Sequence, residues 1–379
     1  MQRDVFEDEH EAFRESVNGF LRREAVPRTE EWEEAGIIDR AFWKRAAAQG
    51  YVAFAAPEQH GGADLDDFRF NAVLDEEVVR LGVVTDSFSL VNDVLTPYLV
   101  DLTTEEQKAR WLPGVTSGDI VPAIAISEPG TGSDLRGIAT TARWDDGRWR
   151  LNGSKTFVTN GIQADLVVVA ARVLRENVEG LGLFAVEADA PGFTRGRKLE
   201  KIGRKGQDTA ELFFEDVVVD HDNLIGEAGR GLSLLMRNLP QERLSMAVTA
   251  VTHAERALEV TLDYVKHRNA FGQPIGSFQA NRHALAEAAT EVAIARVYVD
   301  HCIRGAVDGA LTPEEAAGAK FWTTELEFRV IDRCLQLHGG YGYMEEYEVA
   351  RMWRNSRVQR IYGGTSEIMK EIVGRSLGI

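Results

Sequence analysis

Val121-Pro122-Ala123-Ile124-Ala125-Ile126 is the point at which the chain changes its period. Upstream, apolar residues recur at helical spacing. Phe6, Phe13, Val17, Phe20 and Leu21 stand among acids and arginines. After a loop marked by Pro57 and Gly61-Gly62 the pattern resumes through Val73-Leu74, Val78-Val79 and Leu81, and again from Thr104 to Leu112. From Val121 onward the apolar residues gather into short β-rich runs: Val121 to Ile126, Trp149 to Val158, Leu166 to Ala170, Leu181 to Val186 and Leu212 to Val219. Turn residues such as Asp145-Asp146-Gly147 separate them. Beyond Gly231 a 3.6-residue period returns in Val248, Val251, Leu258, Leu262 and Val265, and helices are expected at roughly 232–268, 279–308, 313–337 and 364–377. The order predicts an α+β chain of three domains: an N-terminal helical domain over 1–120, a central, mostly antiparallel β domain over 121–228, and a C-terminal four-helix-bundle domain over 229–379. Ligand sites favour clefts between domains, so the seam between the β domain and the second helical domain is where a site is expected.

Composition narrows the function. The 379 residues carry a net charge of −17, which argues against a protein that tracks nucleic-acid backbones. It leaves room for a local Arg/Lys pocket that takes an anionic ligand. No apolar run approaches the length of a membrane span. Met1 to Glu9 are acidic and lack the pattern of a secretory signal or a transit peptide. Cys302 and Cys334 form no CxxC pair. The expectation is a cytoplasmic, reduced protein without a structural metal.

Several short stretches carry polar chemistry. Ile126-Ser127-Glu128-Pro129-Gly130-Thr131-Gly132-Ser133-Asp134 is a glycine-rich turn that either closes a strand or offers backbone N–H groups to a ligand. In Asn152 to Asn160, strand alternation sets Phe157 and Thr159 on one face, as a core aromatic or as a flat cover for a ring with a hydroxyl at its edge. Arg268, in His267-Arg268-Asn269-Ala270-Phe271-Gly272, reads as a cation at a helix C-terminus with Gly272 past the end. Thr365 and Glu367 read as the cap and first-turn acid of the last helix. Glu242 follows Pro240, a residue favoured in a helix's first turn, where a glutamate is commonly dipole chemistry alone. The basic run from Arg195, Arg197 and Lys198 to Lys201, Arg204 and Lys205 reads as a solvated loop or as a phosphate contact.

Taken together, Ile126 to Asp134, Gln336-Leu337-His338-Gly339-Gly340-Tyr341-Gly342-Tyr343 and Ile361-Tyr362-Gly363-Gly364-Thr365-Ser366-Glu367 resemble the signatures of the acyl-CoA dehydrogenase family. The match runs in order, at the family's spacing, over nearly the whole chain. Leu239-Pro240-Gln241-Glu242-Arg243-Leu244 is most similar to the long-chain subgroup, and isovaleryl-CoA dehydrogenases are similar in carrying the base on this same helix. The resemblance implies FAD. It implies that Ile124, Ile126, Ser127, Gly132 and Ser133 line the flavin, with Ser133 also touching the pantetheine arm of CoA. It implies that Phe157 and Val158 lie against the flavin and Thr159 near its N5. Arg268, Phe271 and Gln279 are implied to reach the FAD diphosphate of a neighbouring subunit, as are Gln336, Leu337, Gly339 and Gly340. Thr365, Ser366 and Glu367 are implied to meet FAD, and Ser233, Pro240, Gln241, Arg243 and Gly364 the acyl-CoA. His338 reads as structural. Complete sites would then need a homo-oligomer, by family habit a homotetramer, with electron-transfer flavoprotein as electron acceptor and fatty acid β-oxidation as the setting.

The chemistry needs a base. Thioester α-protons are weakly acidic, so their removal requires an aligned carboxylate and stabilisation of the enolate oxygen. A hydride leaving the β-carbon requires an oxidised ring, which FAD provides. Where the family's common pattern places glutamate in a Tyr-Glu-Gly-Thr run, this chain has Gly363. Gly363 keeps a backbone N–H, expected to donate to the thioester oxygen beside a ribityl hydroxyl of FAD, and Glu242 becomes the expected base. A helix N-terminus and Arg243 favour its anion, and burial beside an acyl chain favours its acid. Desolvation is expected to win once substrate binds, with a pKa of roughly 6–7. Ser233 stands where long-chain relatives carry a tyrosine, which leaves straight and branched acyl groups both open. The rival readings are an acyl-CoA oxidase or flavin monooxygenase on the same fold, and a non-catalytic partner subunit of a hetero-oligomeric dehydrogenase. Glu242 argues against the monooxygenase and, with the FAD contacts, against the partner subunit.

Overall fold

Capping residues and turn chemistry set the boundaries of the elements. The computed structural model describes residues 3–83 and 87–379. Its N-terminal block holds α1 (Asp8–Glu24), α2 (Thr29–Ala35), α3 (Arg40–Ala47), α4 (Phe68–Arg80), α5 (Ser87–Ser89), α6 (Thr96–Asp101) and α7 (Glu105–Thr116). A π-helical turn, Leu90–Leu95, joins α5 to α6, a feature that recurs at functional sites. Asp39, Asp67 and Thr104 accept from the backbone N–H groups of Phe42, Arg69 and Gln107 and so cap α3, α4 and α7, each cap contributing about 1 kcal/mol.

One eight-stranded sheet follows: β1 (Pro122–Ala125), β2 (Thr141–Asp145), β3 (Arg148–Thr159), β4 (Leu166–Leu174), β5 (Leu181–Glu187), β6 (Phe193–Lys198), β7 (Thr209–Asp220) and β8 (Leu224–Ile225). The spatial order is β6-β7-β3-β2-β4-β5-β8, with β1 also paired to β4. Pairing is antiparallel except where β1 and β2 run parallel to β4. Asp146 and Gly147 both take positive φ, 45° and 84°, which is the two-residue turn that the β2–β3 register needs. β4 is apolar without alternation because both its faces are covered. Leu166, Val168 and Ala170 pack on the N-terminal helices, and Val167, Val169 and Ala171 join Trp149 and Phe184 in the core of the far face. β2 and β6 lie outside the runs legible in the sequence. β2 offers only Ala142 and Trp144 as an alternating apolar pair, and β6 carries the first half of the basic run, Arg195, Arg197 and Lys198, as an edge strand blunted by charge.

The C-terminal block comprises α8 (Gly231–His267), α9 (Gln279–Val307), α10 (Pro313–His338), α11 (Glu348–Ser356) and α12 (Ser366–Ser376), with the small hairpin β9 (Asn269–Ala270) and β10 (Gln273–Pro274) between α8 and α9. Its core is formed by Leu244, Val248, Val251, Leu258, Val292, Val299, Leu326 and Val330, and α4 enters it through Phe68 and Ala72. A second tie between the blocks is electrostatic. The unexposed Glu76 of α4 meets Arg3, Arg14 and Arg296 at 2.7, 3.0 and 3.0 Å. Burial pushes that carboxyl up, but the arginines outweigh it and bring its pKa down to about 2. No helix among the described residues is long and apolar enough to cross a membrane.

Two local expectations are corrected. α8 begins nine residues before Pro240, so the proline lies inside the helix and Glu242 sits about three turns in, away from any N-terminal dipole. Lacking an N–H, Pro240 leaves the Met236 carbonyl without its helical donor. Gly272 is no helix cap either: with Phe271 it forms the turn of the β9–β10 hairpin, at φ 82° and 52°.

Candidate active site

Two segments distant in sequence meet on one face of α8. Glu242, Met246 and Thr249 are spaced i, i+4, i+7 and share that face. Met246 packs its thioether so closely on Gly363 that a Cβ there would overlap it. Thr249 Oγ1 accepts from Gln359 Nε2 at 3.3 Å. The C-terminal segment therefore runs along the face towards Glu242. Gly363, at φ +65°, has a conformation that glycine adopts freely and side chains resist. Lys320 of α10, fully buried, donates to the Gly364 carbonyl at 2.6 Å and fixes the turn. Burial lowers the Lys320 pKa to about 8, Arg243 pressing the same way and Glu325, Glu327 and Glu367 opposing. Among the described residues the Gly363 N–H has no hydrogen-bond acceptor. A rigid turn thus presents a free donor beside the face that carries Glu242.

The carboxyl itself is partly buried and held from the N-terminal block. Tyr98 of α6 donates to Glu242 Oε1 at 3.3 Å, and Gln241 Nε2 donates to the Asp93 carbonyl at 3.3 Å. Burial raises the Glu242 pKa to about 7, against the Tyr98 hydrogen bond and Arg243, with the charge of Asp93 adding to the rise. Desolvation wins in the folded chain itself, before any substrate contributes. Arg243 is buried, and Pro240 and Gln241 are half-buried. Ser233 is not brought to this face. It is exposed in the first turn of α8, its hydroxyl donating to the Arg230 carbonyl at 2.7 Å, and nine residues of helix turn it away from Glu242.

On the sheet, a buried ion pair fastens the glycine-rich turn to β3. Lys155 Nζ lies 2.8 Å from Glu128 Oε1 and donates to the Ile126 carbonyl at 2.9 Å. Glu128 also accepts from the N–H groups of Ala139 and Thr140 at 2.7 and 2.9 Å. The Thr156 N–H donates to the Ser127 carbonyl at 2.9 Å. Gly132 and Ser133 stand exposed beyond this clamp, while Ile124 and Ile126 pack on the N-terminal core. β3 bulges between Lys155 and Val158. Within the bulge Phe157 has φ +58°, a strained value for an aromatic residue, and its ring is 71% exposed. Val158 is buried behind it and Thr159 half-buried beside it. A large ring held outward by a strained backbone is a ready surface for a planar ligand.

The remaining expected residues gather at the other end of α8. Arg268, Gln336, Leu337, Gly339 and Gly340 line one cavity of about 600 Å³. Arg268 stands over the Tyr341 ring at 5.4 Å. A cation beside the backbone N–H groups of a glycine turn suits a diphosphate. Phe271 is 95% exposed and Gln279 is exposed at the start of α9. His338 is structural: its Nδ1 is 2.8 Å from the Cys334 carbonyl and its ring stacks on Tyr264. Thr365 caps α12 by accepting from the Ile368 N–H at 3.3 Å, Ser366 donates to Glu325 at 2.8 Å, and Glu367 is exposed. The basic run turns largely to the protein's own carbonyls: Arg195 to Ala164, Lys198 to Ala35, Lys201 to Gln207 and Arg204 to Asn355.

Sequence reasoning missed Tyr98, Met246, Lys320 and the Glu128–Lys155 clamp. Met246 had a signal in its i+4 spacing from Glu242; the others depend on contacts that only the fold creates.

A base poised near neutrality beside a backbone donor suits removal of a carbon-bound proton, and the strained aromatic surface suits a flat redox cofactor. Fold and site define the class of flavin oxidoreductases that act on a carbonyl-activated C–H bond. Comparison with known proteins narrows it. Profiles for the N-terminal, middle and C-terminal domains of acyl-CoA dehydrogenase match residues 7–119, 123–217 and 229–378. The long-chain specific acyl-CoA dehydrogenase, mitochondrial, of Sus scrofa is 44% identical over 378 residues, which cover 99% of this chain and 88% of the relative. The crystal structure of acyl-CoA dehydrogenase from Geobacillus kaustophilus superposes with a TM-score of 0.97 at 46% identity, covering 100% of both chains. That of acyl-CoA dehydrogenase complexed with FAD from Bacillus anthracis does so at 0.89 and 30%, covering 100% of this chain and 68% of the other. The chain belongs to the acyl-CoA dehydrogenase family. It is an FAD-dependent oxidoreductase that dehydrogenates acyl-CoA thioesters.

Proposed function

We propose that Glu242 removes the α-proton of a fatty or branched acyl-CoA and that the Gly363 N–H stabilises the enolate oxygen, giving the trans-2-enoyl-CoA. The observation that carries this reading is the approach of Gly363 to the α8 face that holds Glu242, through Met246. With its pKa raised to about 7, Glu242 is ionised in part at neutral pH and strong enough as a base to take a carbon-bound proton. The α C–H bond breaks towards the Glu242 carboxylate, and the electron pair forms the new double bond as hydride leaves the β-carbon. FAD supplies the acceptor for that hydride. Phe157 provides the flat surface for the ring, Thr159 a hydroxyl at its edge, and Ile124, Ile126, Ser127, Gly132 and Ser133 the wall beside it. Pro240, Gln241, Arg243 and Gly364 frame the thioester.

Arg268, Phe271, Gln279, Gln336, Leu337, Gly339 and Gly340 are assigned to the diphosphate side of a second protomer's FAD. Helix length supports this: about 38 Å of α8 separates Glu242 from His267, more than one FAD molecule spans. The assembly is a homo-oligomer, and a tetramer fits the family habit. Electron-transfer flavoprotein is the proposed acceptor, fatty acid β-oxidation the proposed setting, and the cytoplasm the proposed compartment, in keeping with two unpaired, buried cysteines. Anaerobic titration of the purified flavoprotein with straight, branched and ring-bearing acyl-CoAs, following the flavin band, tests the reading. Bleaching by at least one class is expected, and a Glu242→Gln variant that bleaches as fast as wild type would overturn the assignment of the base.

A further inference from the structure

A buried acid pair beside Glu242 has no part in the chemistry above. Asp75 of α4 and Asp93 of the π-helical turn are 2% and 1% exposed. Among the described residues no Lys, Arg or His forms an ion pair with either. The groups that face them come from each packed element. From α4 the Asn71 amide donates to Asp93 Oδ1; from α5 the Ser89 hydroxyl donates to Asp75 Oδ1. From α8 the Ser245 hydroxyl lies 2.6 Å from Asp75 Oδ2 and in short contact with Asp93 Oδ2. Glu242, three residues earlier on α8, is within the field of Asp93.

Ser245 has one hydroxyl hydrogen and two carboxylate neighbours. If both acids were ionised, one of those contacts would bring two bare acceptors together in a dry interior. The folded cluster therefore holds a proton beyond those its hydroxyls and amide supply. Burial pushes both carboxyls up, and for Asp75 the charge of Asp93 adds to the rise.

We propose that Asp75 and Asp93 share one proton and are positioning residues for Glu242, an inference that rests on Glu242 being the base. The pair joins three segments: α4, the 87–95 stretch and α8. The 87–95 stretch continues into α6, which brings Tyr98 to Glu242, and the Asp93 carbonyl receives Gln241. One shared proton thus fastens both flanks of the base, and the pair's single remaining charge helps to keep Glu242 weakly acidic.

The experiment uses the FAD-loaded protein and two isosteric variants, Asp93→Asn and Asp75→Asn, read by the pH dependence of flavin reduction by an acyl-CoA and by Tm against pH. An amide imitates the protonated acid, so each variant folds and keeps its reduction plateau within about threefold. In Asp93→Asn the charge near Glu242 is gone, so the acid limb moves to lower pH and reduction at pH 6 gains about twofold relative to the plateau. Wild-type Tm falls between pH 5 and pH 8, because the folded pair keeps a proton that unfolded aspartates release near pH 4 and Glu242 adds a fall of the same sign; the Asn variants lose the pair's share, so their slope is shallower than wild type. Asp93→Leu, which leaves Ser245 and Asp75 unmatched, drops the plateau at least about tenfold with FAD still bound. Unchanged pH profiles and Tm slopes in both Asn variants overturn the proposal. Failure of the base assignment is seen separately. A Glu242→Gln variant reducing flavin at the wild-type rate overturns the positioning role, while the Tm slope still reports the shared proton.

Discussion

The two ends of α8 differ in how finished they are within one chain. At the Glu242 end the carboxyl and the glycine turn are held from other elements: Tyr98 on the carboxyl, Lys320 on the Gly364 carbonyl, Met246 beneath Gly363, with the Gly363 N–H left as a free donor among the described residues. At the Arg268 end a cavity of about 600 Å³ lies open, and Phe271 projects into solvent at 95% exposure. The contrast teaches where the energy has been placed. The Glu242 end is preorganised, with its desolvation cost met during folding; the far end keeps an open surface, which the proposed second protomer's FAD would cover. The largest effect is expected from Glu242→Gln. Reduction of flavin by acyl-CoA should fall about 10³-fold with FAD content unchanged, as read by anaerobic stopped-flow absorbance. A linked stability effect follows from the raised pKa. Glu242 contributes fully below pH ~4.5, where it is neutral folded and unfolded, and that contribution is lost as pH rises through about 7. Glu242→Gln removes the loss, so thermal melts at pH 8 should favour the variant more than melts at pH 5.

Gly363→Ala tests whether the base end is as rigid as its contacts imply. The substitution strains a backbone at φ +65° and drives a methyl into Met246. A destabilisation of about 1–3 kcal/mol is expected, with a loss of reduction of about 10²-fold as the N–H is displaced. A Tm within a degree of wild type would show that the turn is soft and the comparison misjudged. The same contact sharpens an exchange of bases: Glu242→Gly with Gly363→Glu should recover little activity until Met246→Ala makes room.

Arg268→Ala probes the open end. Loss of a charge-assisted contact to a diphosphate should weaken FAD retention about 10- to 100-fold. The oligomer should loosen with it, because the cofactor would bridge two chains. Flavin content after dialysis and sedimentation velocity read the two effects. A monomeric wild-type protein that retains FAD would remove the reason for two separate ends.

The layout was readable because period and turn chemistry act locally. The long run of α8 from Val248 to Val265, the unbroken β4 and the Asp146-Gly147 turn each announce themselves within a short local window. β6 did not, because this edge strand is dominated by Arg195, Arg197 and Lys198, and β2 did not, because it shows only Ala142 and Trp144 as an alternating apolar pair. The Pro240 reading failed for a related reason. Proline favours a first turn on average, but α8 extends through it, since Leu235 and Leu244 are buried on either side and hold the helix by packing. At the site, Glu242 and Gly363 read from the sequence as a vacancy and its proposed replacement, and the fold sets Gly363 against Met246 on the α8 face that carries Glu242. Tyr98 lies 144 positions from Glu242 and Lys320 44 from Gly364, and no local pattern encodes contacts of that range.

Lys320→Met asks how much of the finished end depends on one buried cation. Losing its hydrogen bond should free the Gly364 carbonyl and lower reduction about tenfold. In wild type the activity should decline above about pH 8 as Lys320 loses its proton, and the variant should lack that decline. A retained alkaline decline would assign it to another group.

Tyr98→Phe should have the smallest effect and the most specific signature. Burial and Glu242 both push the Tyr98 phenol up, so it remains a donor across the working range. A donor to the ionised carboxylate favours that form and holds the Glu242 pKa below where burial alone would set it. Removing the hydroxyl therefore raises that pKa and moves the acid limb to higher pH. Reduction at pH 6 should fall about threefold while the maximum rate near pH 8 stays within experimental scatter of wild type. A uniform loss at every pH would mean that Tyr98 orients the carboxyl instead of tuning it, and a shift to lower pH would mean that the hydroxyl bonds the protonated acid. Either result would relocate the source of the base's poise from the N-terminal block to α8 itself.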